Sequence, residues 1–211
     1  MNLVTSKFLR SARKAKGDGH LRRAEILKAA EVIFVAEGYE GATIRKIAEE
    51  VGVSSTALYM HFSDKDQILT EICTRAMEEL LAINSEISAR PIAAVSRVRM
   101  MLEAYVRFAL ENPNAYRLVF CSAALARSPH RQSATKRIGE ECFARFSGVV
   151  REIAAEGRLK TGDTATVAQV LWAACHGMVA LVITRPSFEW PPSETFMQVM
   201  IDGLLHGLVA D

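Results

Sequence analysis

Residues 43–62, TIRKIAEEVGVSSTALYMHF, constrain the fold more than any other stretch of this chain. Ile44, Ile47, Ala48 and Val51 recur at spacings of three and four, so residues 44–51 carry a single apolar helical face. Thr43 stands where an N-cap hydroxyl meets the orphan backbone donors of a first turn. Gly52 ends that helix, because the residue after a helix adopts positive φ and glycine does so without steric cost. Val53 turns inward, Ser54 or Ser55 caps a second helix, and Leu58 and Phe62 form that helix's buried face. Ala48 is small where the two helices would touch, which permits a close, steep crossing. The segment reads as a helix-turn-helix.

A plain helical hairpin satisfies most of this pattern, so the outward face of the second helix matters. Ser55, Thr56, Tyr59 and His61 are compact hydrogen-bonding residues rather than the Lys/Glu mixture of an ordinary solvated face. Side chains of this kind suit base edges and phosphate oxygens. The N-terminal turn, Ser55, Thr56 and Ala57, would enter a major groove first. Thr56 is expected to meet a base edge and the Ala57 methyl a thymine methyl. Tyr59, His61 and Lys65 are candidates for phosphate or sugar, with Ser54 at the cap. Thr43 and Arg45 are placed to clamp the backbone at the start of the first helix.

The wider segment from Arg22 to Leu69 resembles the N-terminal domain of TetR-type transcriptional regulators. The resemblance rests on Glu37-Gly38-Tyr39, the Thr43 start, Ile47-Ala48, Gly52-Val53-Ser54, Leu58-Tyr59, His61-Phe62 and Lys65. Tyr59 and Lys65 match recurrent phosphate-contacting positions of that family. The family often has a small residue and then threonine where this chain has Thr56-Ala57, which leaves the operator sequence open. Downstream, Leu171-Trp172-Ala173-Ala174-Cys175-His176-Gly177 resembles the Trp-His-Gly signature of one class of TetR-type ligand-binding domains. Asn112-Pro113-Asn114-Ala115-Tyr116-Arg117-Leu118 resembles another segment of them.

Charge is uneven along the chain. Residues 1–23 hold seven cations (Lys7, Arg10, Arg13, Lys14, Lys16, Arg22, Arg23) against Asp18 alone, while residues 71–211 hold fifteen charges of each sign. A basic excess at the end carrying the helix-turn-helix is what polyanion binding requires. The arm over residues 1–20 reads as flexible, either reaching DNA or merely solubilising. Half the residues are apolar and 7% are aromatic, as in an all-helical domain. No run of about 18 apolar residues and no signal-peptide pattern is read, so no membrane partner and a cytoplasmic location are expected. Cys73, Cys121, Cys142 and Cys175 form no C-x-x-C pair, which points to neither a disulfide framework nor a metal, and no cofactor is expected.

Periodicity and punctuation predict an all-α chain of about nine helices. The domains expected are the arm (1–20), a helix-turn-helix DNA-binding domain (21–66) and a ligand-binding and dimerisation domain (67–211). A first helix runs from about Leu21 to Glu37, and Ser63 with Asp66 opens a fourth reaching about Ile87. Pro91 fits the first turn of a fifth helix that ends before Pro113. A shorter helix runs from Asn114 to about Leu125, with a loop around Ser128-Pro129 and a helix over His130 to Glu156 closed by Gly157. Asp163 or Thr164 caps a helix to about Thr184, and Ser193 caps the last.

The last two helices are apolar over wide arcs. Val167, Leu171 and Met178, with Val170 and Ala174, make one stripe; Phe196, Met200, Gly203, Leu204 and Gly207, with Val199, make another. The family resemblance implies that these helices pair in a symmetric dimer bundle, whereas an intramolecular core is the other way to bury them. By the same resemblance, Tyr105, Phe108, Tyr116, Phe120, Cys121, Phe143, Phe146, Trp172 and His176 surround a ligand cavity, a few polar points in an apolar wall. Simple core packing of these aromatics is the alternative. The function expected is a homodimeric repressor of a palindromic bacterial operator, released by a small apolar effector. A thiol-reactive sensor using Cys121, Cys142 or Cys175 is the alternative. An enzyme is disfavoured, because His20, His61, His130, His176 and His206 are scattered and no nucleophile motif or phosphate loop is present.

Overall fold

The computed structural model describes residues 19–121 and 129–210. Among them are nine α-helices and no strand beyond an isolated bridge between Leu159 and Val209. They are α1 (Gly19–Gly41), α2 (Ile44–Val51), α3 (Ser55–Tyr59), α4 (Lys65–Ser88), α5 (Ala94–Glu111), α6 (Pro113–Tyr116), α7 (Pro129–Ala155), α8 (Thr164–Thr184) and α9 (Ser193–Leu208). A π-type turn, Arg117–Cys121, continues α6. Two compact units divide between Cys73 and Thr74, so the division falls inside α4. Residues 67–73 therefore belong to the first unit, whereas the sequence pattern assigns them to the second domain. The arm before residue 19, the tail of the sixth helix towards Leu125 and the loop at Ser128 lie outside the described residues.

In the first unit, α1 buries Ile26, Leu27, Ala30 and Phe34 at helical spacing. Its regular path stops at Gly38, with φ 73° and ψ 171°, one residue after the sequence expectation. The Thr43 hydroxyl accepts from Lys46 N at 3.2 Å, and Gly52 takes the left-handed conformation at φ 74°, ψ 35°. Gly52 N and Val53 N then donate back to the last carbonyls of α2, Glu49 O and Ala48 O. Ser54 caps α3 by accepting from Ala57 N at 3.1 Å. Ile47, Ala48, Leu58 and Phe62 close the core, and Ile68, Leu69, Ile72 and Cys73 of α4 are buried as well. Each large apolar side chain buried in this way stabilises the unit by about 1.5–3 kcal/mol.

The second unit packs the rest of α4 with α5 to α9 around one core. Val98, Leu102, Val106 and Ala109 of α5, Val149, Val150 and Ile153 of α7, and Ile201 and Leu205 of α9 are buried in it. Asp163 caps α8, its Oδ1 accepting from Ala165 N at 3.0 Å and Thr166 N at 3.2 Å. Gly157, at φ 70°, ends the turn after α7. The C-terminal strip returns to the loop before α8, with Ala210 N donating to Arg158 O at 2.7 Å and Lys160 N to Leu208 O at 2.9 Å.

Four expectations are corrected. Asp64, not Ser63, caps α4: its Oδ1 accepts from Gln67 N at 2.7 Å while Gln67 Oε1 accepts from Ser63 N at 2.7 Å. Half of a capping box is thus present at Asp64, while the return bond from Gln67, rather than from Asp66, reaches Ser63 N, one residue before the cap. Pro91 sits in the loop before α5, whose first helical residue is Ala94. Ser193 is the first residue of α9 rather than its cap; Pro192 takes the cap position with no side-chain hydrogen bond. Val167, Leu171 and Met178 are 1–3% exposed within a single chain. They belong to the intramolecular core and are not a dimer surface, because α8 spends that stripe within its own unit.

Candidate functional sites

The helix-turn-helix presents a compact polar edge. Thr43, Arg45, Ser54, Thr56, Ala57 and Tyr59 are exposed, and Ser55 and His61 are half-buried. Burial of Leu58 and Phe62 on the inner side forces Thr56, Ala57 and Tyr59 outward, since α3 has room for only one buried face. Arg45 forms an exposed i,i+4 pair with Glu49, Nε to Oε1 at 2.8 Å, which steers its guanidinium along α2. Met60 is 83% exposed at the end of α3, a large apolar side chain in solvent that periodicity does not single out.

Two cations that flank this edge are occupied within the unit. Lys65 Nζ donates to Tyr39 O at 2.8 Å and Ala42 O at 3.2 Å and lies 4.1 Å from the Tyr39 ring centroid. It ties the start of α4 to the turn that links α1 with α2. Arg23 donates through Nε to Glu71 at 2.9 Å and through Nη1 to the His61 carbonyl, with its guanidinium carbon 4.0 Å from the Phe62 centroid. The hydrogen bond to Glu71 holds the Arg23 pKa above its ordinary value. This clamp joins α1, the end of the helix-turn-helix and α4, whereas charge patterning alone counts Arg23 with the basic arm.

The second unit holds a cavity of about 560 Å³ that opens to solvent beside Trp172, itself 40% exposed. Met77, Leu80 and Asn84 of α4, Met101, Leu102 and Tyr105 of α5, and Phe120 form part of its wall. Cys142, Phe143 and Phe146 of α7 with Gln169, Trp172, Ala173 and Cys175 of α8 complete it, and Gly139 and Glu140 also line it. Of the nine residues that the sequence points to, Tyr105, Phe120, Phe143, Phe146 and Trp172 line this space. Phe108 is 6% exposed and sits in the core instead. The Cys121 side chain lies outside the described residues.

Tyr116 and His176 stand one layer behind the wall. Tyr105 Oη is 3.0 Å and Tyr116 Oη 2.9 Å from His176 Nδ1, and Tyr116 Oη donates to the His176 carbonyl at 3.2 Å. With the proton on Nε2, Tyr105 donates to Nδ1 and Tyr116 to the carbonyl, which satisfies both hydroxyls. Burial pushes His176 below its ordinary pKa, favouring this neutral form. Burial first, and the neighbouring Tyr116 second, raise Tyr105 far above the usual phenol value. Trp172 and Phe120 pack on the imidazole at ring-centroid distances of 5.4 and 5.2 Å. The trio thus fixes the Tyr105 ring at the cavity edge.

The cavity thiols are kept neutral. Burial pushes Cys142 up to about 11 and Cys175 up to about 12. Thiolate is the reactive form, so both are poor nucleophiles at neutral pH.

A different apolar surface remains open on the second unit. Val170 and Leu181 on α8 are 40% and 49% exposed, and Val199 on α9 is 68% exposed. Gly203 and Gly207 follow Val199 at spacings of four, and a Cβ built on either would meet nothing within 4 Å. Phe196, Met200 and Leu204 are half-buried beside them.

Comparison with known proteins decides the family. A sequence profile described as bacterial regulatory proteins, tetR family, matches residues 26–72. A second, described as tetracyclin repressor-like, C-terminal domain, matches residues 98–204. The chain belongs to the TetR family. Among relatives, the nucleoid occlusion factor SlmA of Yersinia enterocolitica is 28% identical over 181 residues, covering 83% of this chain and 89% of that protein. SlmA of Vibrio vulnificus is 29% identical over 180 residues, with coverage of 83% and 90%. The fold matches the TetR-family regulator PfmR of Thermus thermophilus with a TM-score of 0.75 at 23% identity, covering 86% of this chain and 97% of that one. It matches the ketosteroid regulator KstR2 of Mycobacterium tuberculosis with a TM-score of 0.76 at 20% identity, covering 96% and 100%.

The two matched segments of this TetR-family chain coincide with the two sites. The first holds the helix-turn-helix, and the second spans most of the cavity wall on α5, α7 and α8. Sequence reasoning misses the α4 side of the cavity, where Met77, Leu80 and Asn84 recur at spacings of three and four. That signal is present as an inward-facing stripe, but the family resemblance draws attention to the aromatic residues instead.

Proposed function

We propose that this TetR-family chain is a homodimeric repressor of a palindromic operator, released when a small, largely apolar effector fills the 560 Å³ cavity. The observation that carries this reading is the pairing of an exposed Thr56/Tyr59 edge with a separate apolar cavity in one chain. Cavities of this size and lining suit drug-sized ligands. In this reading Thr56 and Ala57 meet base edges, Thr43, Arg45, Ser54, Ser55, Tyr59, His61 and Lys65 hold phosphate or sugar, and Tyr105, Phe120, Phe143, Phe146 and Trp172 hold the effector. Phe196, Met200, Gly203, Leu204 and Gly207, together with Val170, Leu181 and Val199, supply the dimer surface. Dimerisation sets two recognition helices about 34–36 Å apart on successive turns of the groove. The effector changes DNA affinity only by its differential affinity for the two states, with α4 as the coupling element. The cytoplasm is the compartment of such a protein, and the Trp-His-Gly class is the subfamily that residues 171–177 favour. The apolar α8 has a mean hydropathy of 1.8 over an 18-residue window. In this reading α8 is a core and dimer helix, since seven of its residues are buried within the unit.

Selection of binding sites from a random duplex pool, followed by affinity measurement at two salt concentrations, tests the reading. A palindromic winner with a steep salt slope is expected. Enrichment of no sequence, with and without a cavity-filling compound, would refute it.

A second reading comes from the relatives named as nucleoid occlusion factors, whose match extends over 83% of the chain. A chromosome-wide binding map separates the two readings. Sites confined to a few promoters favour the repressor, and many sites spread along the chromosome favour occlusion.

A further inference from the structure

Among the described residues, one polar side-chain atom in the cavity wall has no hydrogen-bond partner. On α4, Met77, Leu80, Asn84 and Ile87 follow one another at i, i+3, i+7 and i+10, the spacing of a single inward face. Three of them are apolar and buried, and Asn84, at 7% exposed, takes the remaining core position. Its Oδ1 is buried without a hydrogen-bond partner, and the residue lines the cavity. An orphan acceptor of this kind costs stability that a leucine would not. The polar contact on the α5 side of the cavity is already engaged, because Tyr105 Oη is held at His176 Nδ1.

We propose that Asn84 is the polar anchor of the effector site, and that the effector is an uncharged, mainly apolar molecule carrying a hydroxyl or N–H donor that Oδ1 accepts. The amide turns about a soft, two-fold χ2 torsion, so a donor within the cavity can draw the oxygen towards it. Apolar contacts come from Met77, Leu80, Phe143, Phe146 and Trp172, which surround the ligand body. No lysine or arginine lines the cavity among the described residues, so a carboxylate or phosphate headgroup would find no counter-charge in this wall. The one lining carboxylate, Glu140, is solvent-exposed and paired with Lys136 at 3.7 Å rather than free for a cation. This inference rests on the effector-cavity reading above and refines it to a ligand class.

The test uses two probes of nearly equal size, 4-hydroxybiphenyl and 4-methoxybiphenyl, of which only the first donates a hydrogen bond. Binding to the full chain is followed by quenching of Trp172 fluorescence, with Trp190→Phe as the background. The hydroxyl probe is expected to bind roughly three- to tenfold more tightly, the range of one net hydrogen bond. Asn84→Leu should bring the two affinities together while leaving the methoxy affinity within about twofold. Equal affinities in the parent chain, or a preference that survives Asn84→Leu, would overturn the proposal while the cavity remains a ligand site. Failure of both probes to quench Trp172 would refute the cavity reading and this inference with it. If Asn84→Leu does not fold, Gln169→Leu combined with Glu140→Ala removes the other side-chain carboxylate and amide acceptors of the wall: the hydroxyl preference should persist there, and its loss would overturn the proposal.

Discussion

Replacing Arg23 by methionine removes the guanidinium but keeps an apolar stem against Phe62, so it isolates the polar part of the clamp. Arg23 and Glu71 side chains are 29% and 19% exposed, which places the pair between a surface bridge and a buried one. A hydrogen bond to a charged group contributes about 1.5–3 kcal/mol net, and partial exposure moves this pair to the low end of that range. The contact over Phe62 at 4.0 Å adds about 0.5–1 kcal/mol. Loss of about 2 kcal/mol of local stability is expected, which raises the open population of the helix-turn-helix roughly 30-fold. Two units make global unfolding a poor readout, so native-state hydrogen exchange is the assay. The amides to follow are Leu58, which donates to Ser54 O at 3.0 Å, and Phe62, which donates to Leu58 O at 3.1 Å. A cycle with Glu71→Gln should return a coupling of about 1 kcal/mol. Exchange at Leu58 and Phe62 that rises less than about threefold would refute the view that Arg23 holds the end of the recognition element in place.

The other predictions address separate regions of the molecule. Gly52→Ala forces a Cβ into the left-handed region and should cost about 1–2 kcal/mol, read as faster exchange throughout α2 and α3. His176 is pushed below its ordinary value of 6.5 by burial, so the unfolded chain takes up the proton first as pH falls. Its contribution is therefore full above about pH 6.5 and is lost on acidification. His176→Gln should flatten the change between about pH 7 and pH 5 in the urea midpoint read by Trp172 and Trp190 fluorescence, which reports on the second unit alone. Cys142 and Cys175, raised to about 11 and 12, should react with iodoacetamide far more slowly in the folded chain than in urea. Leu181→Glu combined with Val199→Glu should shift sedimentation towards monomer without loss of helical signal, since both side chains are exposed on the single chain.

Local features are legible in the sequence because their causes lie within four residues. The Thr43 cap, the left-handed Gly52, the Ser54 cap and the inward Leu58 and Phe62 all follow from the short-range relation between a side chain and the next turn of backbone. Competition between neighbouring caps is not legible. Ser63 and Asp64 both offer an oxygen, and the choice falls to Asp64 because its Oδ1 meets Gln67 N. Aromatic residues at the cavity are half-legible: Trp172 and Phe143 line it, whereas Phe108, at equally suitable spacing, is turned into the core.

Helical register, the turn that joins α2 to α3, and the solvent-facing residues of α3 all follow from the order of residues along the chain. These depend on backbone sterics and on periodicity, which act between near neighbours. How each wide apolar helix is shared is settled only by packing in three dimensions. Val167, Leu171 and Met178 go to the core, while Val170, Leu181 and Val199 stay outside. Packing also commits Lys65 and Arg23 to Tyr39, Ala42, His61 and Glu71. The physical reason is that an amphipathic stripe fixes only that a helix must pack, and a cation only that it needs an acceptor. The partner is chosen by residues dozens of positions away, and the same choice leaves Asn84 Oδ1 without one among the described residues.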